Sequence, residues 1–172
     1  MAILKIRTYG DPVLRKKAEK VKDFDDKLKQ TVQDMLETMY ANKGLGLAAN
    51  QVGILKQIIV IDVGTKEIPD VKIIINPEVK FLTKEKVEYE EGCLSFPGLT
   101  EKISRYSKLL VKCNDLKGNT VEFETDGLLA IAIQHEFDHL NGVLFIDRMS
   151  PVKKLMHTKK LREIKKLQKE KK

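Results

Sequence analysis

Two histidines four positions apart are the residues of this sequence best suited to chemistry. They belong to the HExxH segment His135-Glu136-Phe137-Asp138-His139. On a helix, residues four apart lie on the same face, so both imidazoles can reach one metal ion. Glu136 would then lie beside the metal, where its carboxylate can take a proton from a bound water. A lone histidine on an apolar helix is more often a core residue, but this spacing predicts a metal site.

A catalytic metal site needs a third protein ligand and an open fourth position. His157 lies in a lysine-rich tail, where we expect it to be solvated. The best remaining donor is Cys93, in the segment Glu91-Gly-Cys-Leu-Ser95, which follows a predicted strand. The other cysteine, Cys113, lies in a strand whose alternation predicts that its thiol is buried in the core.

A stretch of small residues, Gly44-Leu-Gly-Leu-Ala-Ala-Asn-Gln-Val-Gly53, precedes these segments. It is a poor match to a phosphate-binding loop, because the third glycine and the following Lys-Ser/Thr pair of such loops are missing. Small side chains suit a close approach of the backbone to a substrate. The amide of Asn50 or Gln51 could donate to an oxyanion. The same stretch could equally form a tight structural turn.

Hydrophobic periodicity predicts the helices and strands that must position these side chains. Residues 25–43 have helical spacing, with Asp23 or Asp25 as the N-cap and Gly44 as the stop. Strand signals cover residues 57–63, 71–76, 84–90, 109–114 and 120–125. The last two strands flank a candidate hairpin turn, Leu116-Lys-Gly-Asn119.

From Asp126 the period is helical again and apolar around most of the circumference, which predicts a buried helix ending at Asn141-Gly142. Ser150-Pro151 is typical of the start of a last helix. The apolar stripe of that helix is Val152, Leu155, Met156, Leu161, Ile164 and Leu167. The predicted fold class is α+β: antiparallel strands surrounding a buried central helix that carries HExxH, plus an N-terminal helix and a C-terminal helix. We expect one catalytic domain over residues 1–172, with 151–172 as a basic C-terminal helix or tail.

The composition indicates a soluble globular protein, with 42% hydrophobic and 33% charged residues in a chain of 172. The formal net charge is +7, and much of the excess lies in residues 153–172. Such a tail is either a solvated surface or a nucleic-acid contact. The N-terminal residues do not resemble a signal peptide, and the apolar runs are too short to span a membrane. We therefore expect a cytoplasmic protein, or its equivalent in an organelle matrix after processing, with reduced cysteines.

Three segments in this order and spacing resemble the peptide deformylase family. They are Gly44-Leu-Gly-Leu-Ala-Ala-Asn-Gln51, Glu91-Gly-Cys-Leu-Ser95 and Gln134-His-Glu-Phe-Asp-His139, and the similarity extends to Asp147-Arg148. The long C-terminal segment resembles the bacterial type with an extended C-terminal helix. One departure lies at Leu99-Thr-Glu101, where some relatives carry an arginine that contacts the substrate backbone.

The resemblance implies a role for each residue of the site. The implied metal ligands are Cys93, His135 and His139, and the implied catalytic groups are Glu136 as general acid and base, Gln51 and the Leu94 amide as oxyanion donors, and the Gly46 backbone. The implied pocket for a methionine side chain consists of Leu45, Leu128 and Ile131, with Tyr89 at its edge. Arg105 matches a family arginine and would pair with Asp138 to support the ligands.

The implied reaction is metal-dependent removal of the N-formyl group from the formyl-methionine of nascent polypeptides, which releases formate. The cofactor would be one divalent ion: the resemblance favours Fe²⁺, while Zn²⁺, Ni²⁺ and Co²⁺ also suit two imidazoles and a thiolate. The alternatives are an HExxH-type metallopeptidase and a non-catalytic metal- or RNA-binding module. We expect a monomer whose basic tail could contact ribosomal RNA.

Overall fold

The computed structural model describes residues 2–171 and has a mixed architecture of antiparallel sheets and helices. Its strands are β1 (Gly46–Ala48), β2 (Ile58–Asp62), β3 (Val71–Phe81), β4 (Lys86–Gly92), β5 (Thr100–Tyr106), β6 (Lys108–Asn114) and β7 (Thr120–Asp126). Its α-helices are α1 (Asp26–Ala41), α2 (Gly127–Leu140), α3 (Pro151–Met156) and α4 (Thr158–Glu170). Short 3-10 turns lie at Pro12–Arg15, Ala49–Val52 and Phe145–Arg148.

Within these residues the strands form two antiparallel sheets. One has five strands in the order β1-β2-β3-β6-β7, and the other is the β4-β5 hairpin. All five predicted strands are present. Strands β1 and β5 were not predicted, because β1 has three residues and β5 is rich in polar side chains. In β5 the two buried side chains are Ile103 and Arg105, and a buried arginine conceals the apolar alternation.

Strand β3 continues five residues beyond its predicted end at Asn76. Asn76 has a positive φ of 54°, and the pairing register with β6 shifts after Ile75. The Asn76 side chain accepts a hydrogen bond from the Val21 amide at 2.8 Å and donates to the Val21 carbonyl at 2.9 Å. This bulge lets the strand continue through Pro77, whose missing N–H would otherwise interrupt the ladder.

Helix α1 begins where the sequence predicts. The Asp25 carboxylate caps it by accepting a hydrogen bond from the Leu28 amide at 3.0 Å. The last helical residue is Ala41, Asn42 is the C-cap, and the left-handed residue that follows is Lys43, with φ 56°. The Gly44 amide donates to the Met39 carbonyl at 2.9 Å. The left-handed residue therefore lies one position before Gly44, the predicted stop.

Helix α2 lies at the centre of the fold and packs against β1, β2, β5, β6 and β7. Most of its residues are buried, as the apolar circumference predicts. One core cluster joins it to the sheet through Leu109, Val111 and Cys113. The Cys113 thiol is 6% exposed and free, which confirms that it is a core residue.

The predicted continuous C-terminal helix is wrong. His157 ends α3 and precedes α4, with φ −97° and ψ 7°. On α3, before the break, the apolar stripe faces solvent: Leu155 and Met156 are each 73% exposed, and Val152 is also exposed. On α4, Leu167 is exposed too. Leu161 and Ile164 do pack inward. No helix within residues 2–171 is long and apolar enough to cross a membrane.

Candidate metal centre and active site

Three potential metal ligands converge where α2 meets the loop after β4. His135 and His139 lie one turn apart on α2, and Cys93 follows β4 directly. One donor atom from each lies within 4.8 Å of the others, and Cys93 Sγ is 3.3 Å from His139 Nε2. A thiolate and two imidazoles suit a borderline transition metal such as zinc or ferrous iron. The donor set therefore fits one such ion.

Buried charged groups fix the orientation of His135. Its Nδ1 lies 2.8 Å from Glu91 Oε1, which leaves Nε2 free to face the other donors. Arg105 donates two hydrogen bonds to Glu91, at 2.8 and 2.9 Å. A third runs from Arg105 to Asp138 at 2.7 Å, and Arg148 also donates to Asp138 at 2.9 and 3.0 Å. We call this the buried charge network: Glu91, Arg105, Asp138 and Arg148.

The network is internally compensated. Arg105 and Glu91 have side chains only 4% and 5% exposed, so neither charge has appreciable water around it. Burial alone would lower the pKa of Arg105, but the carboxylates of Glu91 and Asp138 outweigh it and raise that pKa. The contact between Arg105 and Asp138 was expected from the sequence. The contacts that Glu91 makes with Arg105 and His135, and that Arg148 makes with Asp138, were not expected.

Glu136 lines the same cleft as Cys93 and His135, and one of its carboxylate oxygens has no hydrogen-bond partner within residues 2–171. Its carboxylate is buried, and burial raises its pKa to about 7. Among the described residues, its Oε2 atom is one of four buried side-chain atoms that lack a hydrogen-bond partner. An unpartnered buried carboxylate oxygen is costly unless a water or ligand completes it. Its position supports a water or substrate atom between Glu136 and the metal donors.

Gly46 brings the backbone of β1 against this carboxylate. A Cβ atom at Gly46 would lie 3.0 Å from Glu136 Oε1 and 3.2 Å from its Cγ. A side chain at Gly46 would therefore collide with Glu136, whereas the close approach of this stretch to a substrate stays a prediction. Glycine is required here by contact with Glu136 and not by backbone conformation.

The Gln51 amide points towards Cys93. Its oxygen accepts from the Ala48 amide at 3.0 Å, and its Nε2 lies 3.1 Å from Ser95 Oγ and 3.5 Å from Cys93 Sγ. Asn50, the other candidate donor, instead donates to the Lys16 carbonyl at 2.9 Å. Between the two amides, Gln51 is thus the one that faces the metal donors. The contact with Ser95 was not expected.

A cleft of about 580 Å³ opens onto these groups. Its lining includes every residue of the expected apolar pocket: Leu45, Tyr89, Leu128 and Ile131. Its lining also includes Gly46, Gln51, Cys93, Leu94, His135 and Glu136. A further wall is formed by residues 96–100, of which Leu99 and Thr100 lie in the stretch where some relatives carry the substrate-contacting arginine. We call these five residues the cleft wall.

The comparisons with known proteins agree on one family. A family model described as polypeptide deformylase matches residues 3–155. The chain belongs to the peptide deformylase family. A peptide deformylase of Thermotoga sp. (strain RQ2) is 50% identical over 156 residues, which is 91% of this chain and 93% of the relative. Another, from Thermodesulfovibrio yellowstonii, is 45% identical over 93% of this chain and 97% of its own. The chain is therefore an enzyme with deformylase function.

Solved peptide deformylases share the fold. The Thermotoga maritima structure is 48% identical with a TM-score of 0.83, and the match covers 88% of this chain and all of that one, 100%. A Plasmodium falciparum structure is 42% identical with a TM-score of 0.88, covering 93% of this chain and 94% of that one. A plant peptide deformylase reaches a TM-score of 0.94 at 36% identity, covering 98% and 92%.

Proposed function

We propose that this enzyme removes the N-formyl group from the N-terminal formyl-methionine of nascent polypeptides and releases formate. The observation that carries the proposal is Glu136, a buried acid with one oxygen unpartnered among the described residues, near the donors Cys93, His135 and His139. Glu136, Cys93 and His135 line a cleft together with the apolar side chains of Leu45, Leu128 and Ile131. An apolar pocket next to an acid and a metal site suits hydrolysis of a small amide on a hydrophobic residue.

We propose that Cys93, His135 and His139 hold one divalent ion, with Fe²⁺ as the working ion. When bound, such an ion polarises a carbonyl and lowers the pKa of a coordinated water to about 7. The buried charge network supports this assignment, because Glu91 holds His135 through Nδ1 and Arg105 holds Glu91. In this proposal Arg105 and Asp138 orient the ligands without contacting the substrate.

Glu136 is the proposed general base and general acid. As a water oxygen adds to the formyl carbon, Glu136 accepts the proton that the water loses. The same proton then passes from Glu136 to the amide nitrogen as the carbon–nitrogen bond breaks, which yields formate and a free amine. Burial raises the pKa of Glu136, which makes its carboxylate a better proton acceptor than an exposed one.

The developing oxyanion would be stabilised by two donors, the Gln51 amide and the Leu94 backbone N–H. Gln51 is held by Ala48 and Ser95, so its NH₂ group needs no rearrangement. A preorganised donor of this kind contributes about 3 kcal/mol to the transition state. The two donors would therefore lower the barrier, because they stabilise the transition state more than the bound substrate.

The substrate side chain and backbone would be held by the cleft. Leu45, Leu128 and Ile131 offer an apolar surface to methionine, with Tyr89 at the edge, and the Gly46 backbone holds the peptide. Full burial of a methionine side chain contributes about 1.5 to 3 kcal/mol. This is the basis proposed for selecting a formylated methionine.

We further propose that residues 1–172 act as one catalytic domain, a cytoplasmic monomer whose lysine-rich residues 151–172 contact ribosomal RNA. The net charge of +7 supports that contact.

An HExxH metallopeptidase is not favoured, because such peptidases use a histidine or carboxylate where this chain has Cys93.

The test is formate release from a formyl-Met tripeptide, with the protein purified without oxygen and its metal intact. We expect formate from this substrate and no acetate from the acetylated twin of the same peptide. Failure to release formate at full metal content would refute the proposed substrate. Cleavage of an internal peptide bond, with the formyl group left in place, would favour the metallopeptidase.

A further inference from the structure

The cleft wall, residues 96–100, has little backbone support before its last residue, Thr100, which pairs with Gly92 at the start of β5. It connects Cys93 to β5 through tight turns, with one hydrogen bond from the Phe96 amide to the Cys93 carbonyl and one from Leu99 to Phe96. Gly98 has a φ of 76°. Such a segment needs side-chain contacts from elsewhere to keep a single position.

Some of those contacts come from the rings of Tyr9 and Phe145, which pack on Phe96. The others come from α4, whose Leu161 and Ile164 share a core cluster with Phe96 and Leu99. Lys160, also on α4, packs on Gly98: a Cβ atom placed there would lie 3.2 Å from Lys160 Nζ. The wall is therefore held between α4 and the rest of the cluster.

Glu101, the residue directly after the wall, joins it to α3. His157 Nε2 lies 2.9 Å from Glu101 Oε2, and Lys153 Nζ lies 3.6 Å from Oε1. Lys153 also donates to the Lys102 carbonyl at 3.0 Å. His157 is half-buried in this contact, so the expectation that it is solvated is wrong. The hydrogen bond from His157 lowers the pKa of Glu101, which indicates an ionised carboxylate.

The contacts come from both terminal helices and from the break between them. Lys153 lies on α3, His157 is the residue at the break, and Lys160 lies on α4. Glu101 itself does not line the cleft. It pairs in register with Glu91, the residue that holds His135. Glu101 thus links the terminal helices to the strand pair that carries Glu91.

We propose that Glu101 and His157 are positioning residues of the active site, through which the C-terminal helices hold the cleft wall in its substrate-binding position. The inference rests on the proposed deformylase function and adds to it a role for α3 and α4. Loss of this contact leaves the metal donors and Glu136 in place and loosens the peptide-binding surface. Binding of substrate and transition state then weakens equally, so KM rises while kcat is preserved.

The experiment compares His157→Ala, His157→Gln and Glu101→Ala with the wild type on the formyl-Met tripeptide. We expect KM to rise about fivefold in both alanine variants, the value of a typical net hydrogen bond. We expect kcat and metal content to be unchanged. His157→Gln keeps an N–H donor near the position of Nε2 and should restore most of the affinity. The double alanine variant should be no worse than either single one.

Glu163→Ala is the matched control, because Glu163 is exposed on α4 and makes none of the contacts described above. It should keep the wild-type KM. Amide hydrogen exchange at Gly98 and Leu99 gives a second measurement that needs no turnover, and we expect faster exchange in His157→Ala. An unchanged KM with unchanged exchange, or a loss of kcat in parallel with metal, would overturn the inference. A wild type that releases no formate would refute the proposed function instead, and the exchange rates would still decide the role of His157.

Discussion

Replacing Arg105 by methionine tests how much the buried charge network contributes to stability. The substitution keeps an unbranched side chain and removes the charge shared by Glu91 and Asp138. Asp138 keeps Arg148, which donates two hydrogen bonds to it. Glu91 keeps only His135 among these partners, at 5% exposure. Most of the cost therefore falls on Glu91, a buried carboxylate without its cation.

The expected loss of folding stability follows from the charged partners that Glu91 and Asp138 retain. Breaking a buried ion pair by removing one partner costs about 3 to 5 kcal/mol. A domain of ordinary stability has about 5 to 15 kcal/mol in total, so the variant should fold with a strongly reduced free energy of unfolding. Arg148→Met is the matched control. Its side chain is 49% exposed and Arg105 still compensates Asp138, so the cost there should be about 1 kcal/mol.

The assay is urea denaturation of the metal-free protein, which separates folding from metal binding. The double variant Arg105→Met with Glu91→Gln removes the stranded charge, and we expect it to recover about 2 kcal/mol relative to the sum of the single losses. Equal losses for Arg105→Met and Arg148→Met would refute the reasoning, because it predicts that burial, and not the number of ion pairs, sets the cost.

The remaining predictions concern the catalytic groups and one surface pair. Glu136→Ala should retain fold and metal but lose at least about 100-fold in kcat, and full turnover at equal metal content would exclude its role. Cys93→Ala should lose tight metal binding, measured by metal analysis after dialysis; a fully loaded variant would contradict the ligand set. Gly46→Ala should lower activity with an unchanged melting temperature, because its Cβ would lie 3.0 Å from Glu136 Oε1; wild-type kcat would show that this contact is not needed. Burial and the Asp62 carboxylate raise the pKa of Tyr40 to about 12, so the hydroxyl stabilises the fold below pH 10 and this contribution is lost as pH rises towards 12. Alkaline urea titrations of wild type and Tyr40→Phe should therefore converge over that range, and parallel curves would contradict the assignment.

The sequence predicted the parts of the site that depend on short intervals. The four-residue spacing of His135 and His139 determines a shared helix face, and this needs no tertiary information. Cys93 was reached by elimination, since the chain offers few other soft donors. The family resemblance then assigned Gln51 and the pocket residues, all of which line the cleft.

What the sequence did not predict depends on contacts between distant segments. Arg105 and Glu91 are 14 positions apart and meet because β4 and β5 pair, and β5 itself was hidden by its polar residues. His157 was expected to be solvated, because a lysine-rich neighbourhood indicates exposure unless a specific acid lies opposite. Glu101, 56 positions away, is that acid. The hydrophobic periodicity gives no sign of the break between α3 and α4. That break lies at His157, the residue that contacts Glu101.

The metal donors come from two segments that are far apart in the order of synthesis. Cys93 and His139 are 46 positions apart, and they meet only after the β4-β5 hairpin docks on α2. A growing chain therefore cannot assemble the full donor set until α2 has emerged and packed. Before that point the thiol and the imidazoles are separate weak ligands, and any ion they meet is held loosely. An ion held by these three donors would therefore bind tightly only to a chain in which the β4-β5 hairpin has already packed on α2.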